Sequence, residues 1–401
     1  MAYLKLISYE DALKTLLEET ETVEGSEGAM LDNALGRVAI ADIASPIDVP
    51  SYRKSQMDGY AIVSSDSFKA SEDSPVQLEV IEEIDAGDIP SKIVSSGMCS
   101  YVATGAAVPE GADSVVMIED VIRDGEKILF SRSTAPGENV MQTGFDVQRG
   151  AMIMRKGERV TSRKAAALSG MGITELEVRR MPRIAVISTG SEIVLPGERY
   201  GPVNTYDVNG RYLTSECRRL GCDVDFLGIA ADNRKALIEK LDLAKLYDLV
   251  LVSAGVSKGV KDLMEKTVSE FGEIILHGIN IKPGKPTLAS RCGGTLMIGL
   301  PGHPTSCVMI FKMLVEPLVH KMCGSEHHFK KRKMKLLKRV VATKGRMQFL
   351  PIRVSDDGVV PVFRGSGAIT SFLNADGIAI IDENTEYLDP GELLEVVLLD
   401  D

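Results

Sequence analysis

Between residues 182 and 325 the hydrophobic positions alternate between two periods. Short, nearly unbroken apolar runs ("RIAVIS", "DVDFLGIA", "YDLVLVS", "EIILHGI" and "TLMIGL") are separated by stretches with a helical repeat. In "NGRYLTSECRRLGC" the apolar stripe is Leu213, Cys217 and Leu220, ending at Gly221. In "NRKALIEKLDLAKL" it is Leu237, Leu241 and Ala244. The first pattern predicts strands, the second amphipathic helices. "KDLMEKTVSEFG" and "TSCVMIFKMLVEPLV" predict two more helices. Strands apolar on both faces, alternating with helices, predict a doubly wound parallel α/β sheet over residues 181–326.

The flanking segments read differently. "SYEDALKTLLEET" predicts a helix with Ser8 as N-cap and Asp11 three residues on, close to a capping box. "MLDNALGRVAIADI" predicts a second helix through Leu31, Ala34 and Leu35 that turns strand-like. Residues 46–146 hold short apolar runs broken by "DAGDIP", "PEGAD" and "RDGEK", the pattern of a β-rich domain. "SRKAAALSGMG" predicts a short helix stopped by glycine. Beyond 327, "QFLPIRV", "VVPVFRG", "GIAIID" and "LLEVVLL" predict a small β-barrel or sandwich. The basic run "KKRKMKLLKRV" reads as an edge strand whose lysines discourage pairing with other sheets, or else as a patch for an anionic ligand.

In an open α/β sheet, ligands bind beyond the carboxyl ends of the strands. The loops expected there are "TGSEIVLPGE", "AADNR", "AGVSKGVKD", "KPGKP" and "LPGHPTS". They bring carboxylates (Glu192, Asp232, Asp262), Lys282 and Lys285, and several glycines to one edge. A glycine turn lets backbone N–H groups approach an anion, and a following helix adds its positive end. Gly302 with Thr305 and Ser306 fits that pattern, and Pro304 suits a first helical turn. Acids beside a phosphate site call for a divalent ion, and Mg²⁺ suits an oxygen-rich setting. Any one of these acids alone would read as a solvated loop residue. Together they predict a nucleotide or phosphate site without naming a reaction.

The 401 residues predict two to four domains. A net charge of −11 argues against nucleic acid as a partner. The acidic, amphipathic start is not expected to be a signal peptide, and no apolar run is long enough to predict a membrane span. Cys99, Cys217, Cys222, Cys292, Cys307 and Cys323 form no C-x-x-C pair, which predicts reduced thiols and a cytoplasmic protein. His327 and His328 are expected on solvated surface with no third metal ligand nearby.

Six segments then appear in order: "SQMDGYA", "TGAAVPEGADSVVMIED", "STGSE", "SAGVSKGVKD", "IKPGKP" and "GLPGHP". Together they resemble the molybdopterin molybdenumtransferase family, MoeA, whose eukaryotic relative is the gephyrin E domain. The resemblance spans essentially the whole chain. It implies an elongated multidomain α/β plus β protein. The implied parts are a discontinuous helical linker domain (1–45 and 147–180), a β-rich domain (46–146), a MogA-like α/β domain that binds molybdopterin (181–326) and a C-terminal β-barrel (327–401). It further implies insertion of molybdenum into adenylylated molybdopterin with release of AMP, assisted by Mg²⁺, in a homodimer that works beside other cofactor-biosynthesis proteins. Molybdate or tungstate would be the oxyanion substrate. Adenylylation of molybdopterin and a non-catalytic scaffold are the alternative readings.

By resemblance, Asp58, Thr104 and Asp146 are catalytic residues, with Asp58 donated across the two-fold axis. Glu192, Asp232 and Asp262 form the acidic set, which would hold Mg²⁺. Ser188, Thr189, Gly190, Ser253, Gly255, Ser257, Lys282, Lys285, Pro301, Gly302, Pro304 and Thr305 would bind substrate. The chain departs from the family pattern at Gln56, Ser191, Ala254 and His303, where a small residue, Asp, Gly and Asn are usual.

Overall fold

The computed structural model describes residues 6–254, 266–270 and 272–399. The chain divides into two compact units. One comprises residues 1–40, 157–161 and 176–401; the other comprises 41–156 and 162–175.

The larger unit is built on a six-stranded sheet. Its order is Asp223–Ala230, Arg183–Thr189, Leu249–Ala254, Thr295–Pro301, Leu288–Cys292, Gly272–His277. The first four strands are parallel. Leu288–Cys292 runs antiparallel to both neighbours, so the sheet is mixed where the hydrophobic pattern predicts a parallel one. "LASRC" is a strand because Gly293 and Gly294, at φ 58° and 94°, turn the chain back as a two-residue hairpin. That Gly-Gly signal stands in the sequence, but the neighbouring Pro-Gly turn masked it.

Alternation along the strands serves two cores. Ile184, Val186, Leu249 and Leu251 pack with Leu213 and Cys217 of helix Asn209–Arg219 and with Cys307 and Phe311 of the helical run from Pro304 to Met322. Ala185, Ile187, Val250 and Val252 pack with Leu237 and Leu241 of helix Arg234–Ala244. Both faces are therefore dry, as the apolar runs predict. The N-terminal helix Tyr9–Glu18 joins the first core. Ser8 caps it by accepting from the Asp11 N–H at 3.0 Å, and the Tyr9 hydroxyl donates to the Met313 carbonyl at 2.9 Å.

The predicted second helix is absent. Only a single turn, Leu31–Asn33, forms. Ala34 is fully buried, Leu35 is exposed, and the Gly36 N–H bonds to the Val160 carbonyl. Pairing with a distant segment overrides the local helical spacing.

The C-terminal part of this unit is a curled sheet in the order Ile281–Lys282, Met347–Ser355, Gly377–Ile381, Leu393–Leu398, Lys331–Lys335. Gly358–Pro361 pairs with Met347–Ser355, and a bridge between Leu336 and Val359 brings the circle round. The basic run is the terminal strand of that order; it is mostly exposed, with Lys331 paired to Glu395 at 2.8 Å.

The smaller unit holds its own six-stranded sheet: Ser114–Met117, Gly59–Ile62, Met98–Val102, Val76–Ile84, Lys127–Phe130, Val121–Asp124. Tyr60 and Ile62 pack on one face and Ala61 on the other. Helix Ser162–Gly170 belongs to this unit. Among the described residues, no helix is long and apolar enough to cross a membrane.

The expectation for His327 requires correction. It is half-buried, stacked 4.7 Å from His320, and with Glu316 the three offer ligand atoms within 4.8 Å of one another. Helical spacing places Glu316 and His320 one turn apart, and the chain returns His327 to them. The group is already occupied by cations. Lys312 sits 2.9 Å from Glu316, and Arg159 lies 3.2 Å from His320 Nδ1. Like charge therefore opposes a divalent ion here.

Candidate functional site

At the carboxyl edge of the mixed α/β sheet in the larger unit lies a cavity of about 340 Å³. Three strand ends and one returning loop build it. Strand Arg183–Thr189 delivers Ser188 and Thr189, strand Leu249–Ala254 delivers Ser253, and Gly302, His303 and Pro304 follow strand Thr295–Pro301. Glu192 and Ile193 close one side, and Gly367 and Ile369 reach over from the C-terminal part of the same unit.

Much of the wall comes from "NTYDVNG", whose last two residues open the predicted helix and whose first five carry no predicted role. Thr205, Tyr206, Asp207, Val208 and Asn209 all line the cavity. Asp207 is 8% exposed; it accepts from Ser188 Oγ at 2.9 Å and from the Gly210 N–H at 3.0 Å. One carboxylate thus fastens a strand end to the first turn of helix Asn209–Arg219. Asn209 donates from Nδ2 to Ser253 Oγ and to the Gly302 carbonyl, both at 2.8 Å. An Asp-x-Asn pair opening a helix after a strand was the available signal, since both side chains favour helix starts.

Three polar atoms at this edge are buried with no partner among the described residues: Thr189 Oγ1, Asn209 Oδ1 and Asp232 Oδ1. An unpaired buried polar group costs about 1–3 kcal/mol. Such groups mark places where a ligand, ion or water completes the set. Asp232 lies outside the lining, joined to it through the Ser191 N–H, which donates to its Oδ2 at 3.1 Å.

The loop after strand Thr295–Pro301 is less open to an anion than its sequence predicts. Pro304 begins the helix as expected. The Thr305 N–H, however, donates to the Ser366 carbonyl at 2.9 Å, and its hydroxyl donates to the Ala368 carbonyl at 2.9 Å. His303 Nδ1 meets Ser366 Oγ at 2.8 Å. These contacts hold the C-terminal strap over the cavity and use donors that a phosphate would need. Pro301 is buried at the strand end, and Gly190 stands beside the Glu192 carboxylate.

The "KPGKP" turn is placed elsewhere. Ile281–Lys282 pairs with Met347–Gln348, and Lys282 Nζ donates to Thr343 Oγ1 at 2.8 Å. Neither Lys282 nor Lys285 lines the cavity. Among the described lining residues there is no lysine or arginine, whereas Glu192 and Asp207 are both acidic. Asp262, Gly255 and Ser257 lie outside the described residues.

The residues expected from the other sheet sit in the smaller unit. Asp58 Oδ1 accepts from the Thr104 N–H at 2.6 Å and from its hydroxyl at 2.9 Å. These two bonds, the backbone one first, hold the Asp58 carboxyl below its ordinary range. Asp146 lies on a separate turn, its N–H bonded to the Val49 carbonyl.

Comparison with known proteins divides the chain into three successive stretches. Residues 7–172 match the "MoeA N-terminal region (domain I and II)". Residues 185–321, which contain most of the cavity, match the "Probable molybdopterin binding domain". Residues 333–399 match the "MoeA C-terminal region (domain IV)". A molybdopterin molybdenumtransferase of Haemophilus influenzae is 30% identical over 405 residues, covering 98% of each chain. Its counterpart in Staphylococcus epidermidis is 28% identical, covering 98% of this chain and 95% of the relative. The crystal structure of a molybdopterin biosynthesis MoeA protein from Pyrococcus horikosii is 41% identical and covers 98% of this chain and 99% of that one, with a TM-score of 0.87. Likeness in sequence and fold runs from end to end of the chain, and the chain belongs to the MoeA family.

Proposed function

We propose that this chain is a molybdopterin molybdenumtransferase of molybdenum cofactor biosynthesis. It takes adenylylated molybdopterin and molybdate, places the metal on the pterin's dithiolene and releases AMP. The observation that carries the reading is the strand-end cavity. Ser188, Thr189, Ser253 and Gly302 converge on it within the segment that matches a molybdopterin-binding family model. Gly190, Pro301, Pro304 and Thr305 shape its loops, and Gly255 and Ser257 belong to the same loop set by resemblance. No protein thiol is needed, because the sulfurs that receive the metal belong to the substrate.

The acids fit a hard cation. Asp232 has a buried oxygen with no partner among the described residues, and Glu192 offers a further carboxylate at the same strand edge. Glu192, Asp232 and Asp262 would hold Mg²⁺, which would offset charge on the substrate's phosphates. Lys282 and Lys285 lie off the cavity lining, with Lys282 held by Thr343, so a part for them in receiving the oxyanion rests on the family resemblance alone. Asp58 is kept ionised by Thr104 and is assigned to proton movement or water orientation, with Asp146 as a further site residue. The protein acts as a cytoplasmic homodimer in this reading.

The test is incubation with adenylylated molybdopterin and either molybdate or tungstate, with and without Mg²⁺, following AMP release and bound metal. AMP release that depends on oxyanion and is faster with Mg²⁺ is expected. Substrate that binds and releases no AMP with either oxyanion would overturn the assignment.

A further inference from the structure

Asn209 is 6% exposed and lines the strand-end cavity. Its amide orientation is fixed by chemistry. The Gly302 carbonyl can only accept, so the group 2.8 Å from it must be the NH₂. Both amide hydrogens are then spent, one on Gly302 and one on Ser253 Oγ. Oδ1 is buried and has no partner among the described residues. It is an acceptor, and no described residue donates to it. Thr189 Oγ1, also on the cavity wall, likewise has no partner among the described residues.

The wall around these atoms has an apolar and aromatic side formed by Ile193, Tyr206, Val208 and Ile369. Its described charges are acidic. A phosphate is poorly matched to such a wall, whereas a flat, neutral group carrying N–H or O–H donors fits it.

We infer that Asn209 is a positioning and specificity residue that accepts, through Oδ1, a hydrogen bond from an N–H or O–H on the nucleoside part of the substrate. This rests on reading the cavity as the substrate site. Asn209 then has two tasks. Its NH₂ holds the ends of two neighbouring strands together, and its carbonyl reads a donor that only the correct ligand supplies. A site built around a buried acceptor rejects ligands that lack the matching donor.

The donor could be the exocyclic amine of the base or a ribose hydroxyl, and a panel of ligands separates them. The unmutated protein and Asn209→Leu are titrated calorimetrically with AMP and with purine riboside monophosphate, 2′-deoxy-AMP and 3′-deoxy-AMP, each lacking one donor. In the unmutated protein one analogue should bind about tenfold more weakly than AMP. In Asn209→Leu that gap should close while gaps for the other analogues persist. A purely structural role would weaken AMP and every analogue by the same factor, leaving all gaps unchanged, and that result overturns the inference. Equal binding of AMP and all three analogues by the unmutated protein overturns it too, even if the variant fails to fold. Failure of the unmutated protein to bind AMP overturns both this inference and the reading of the cavity beneath it.

Discussion

Gly210→Ala tests whether the Asp207 clasp is what holds the cavity wall. A Cβ at Gly210 would sit 2.3 Å from Asp207 Oδ2, 2.6 Å from Phe226 Cε2 and 2.6 Å from Ser188 Oγ. Two opposing terms decide the outcome. Alanine gains up to about 1 kcal/mol over glycine inside a helix. Against this, forcing a methyl into a filled space costs about 1–3 kcal/mol. Asp207 must also swing away, which releases Ser188 and the Gly210 N–H together. Losing such a capping bond costs about 1 kcal/mol more. The crowding terms outweigh the propensity, so the variant should be about 1–3 kcal/mol less stable. Denaturant unfolding should show a lower midpoint with an unchanged slope. AMP affinity should fall as well, since the displaced side chains are wall residues. A variant as stable as the parent, with unaltered AMP binding, would refute the clasp.

Two further outcomes follow from titrating groups. Burial, with His327 and Arg159 adding to it, pushes the His320 imidazole down to about 3, while in the unfolded chain it titrates near 6.5. The unfolded chain therefore takes up the proton first, and stability falls as pH drops from 6.5 towards 3. One proton gives at most about 1.4 kcal/mol per pH unit; solvent screening of the partly exposed ring shrinks the shift and so narrows the pH window, not the slope. His320→Gln should flatten the stability profile between pH 6.5 and 5, and equal slopes in both proteins would refute the linkage. Thr104→Val removes one of the two bonds that lower the Asp58 carboxyl, so the acid limb of the pH–activity profile should move to higher pH; an unmoved limb would count against Asp58 as the group that titrates there.

Hydrophobic pattern alone determined most of the α/β sheet. Strand Arg183–Thr189 and helix Asn209–Arg219 need no distant partner to be recognised, because the strand is a short unbroken apolar run and the helix repeats its apolar residues about every 3.6 positions. The carboxyl-edge rule pointed to Glu192 and Gly302, and the family resemblance to Ser188, Thr189 and Ser253, which the structure gathers around one cavity; Asp232, Lys282 and Lys285, named by the same rule, lie off its lining, and Asp262 lies outside the described residues. What the sequence could not decide were the choices made by distant segments. Leu31–Leu35 has helical spacing, yet pairing of Gly36 with Val160 leaves it a single turn. "KPGKP" and "PGHP" look alike as turns. One is drawn into pairing with Met347–Gln348, and the other becomes a cavity wall whose Thr305 donors are spent on Ser366 and Ala368. His327 meets Glu316 and His320 only because the chain turns back after the helix. Propensity and period act over a few residues and survive in the sequence. The partner of a backbone N–H, and the face a loop turns to a cavity, depend on what the rest of the chain brings alongside.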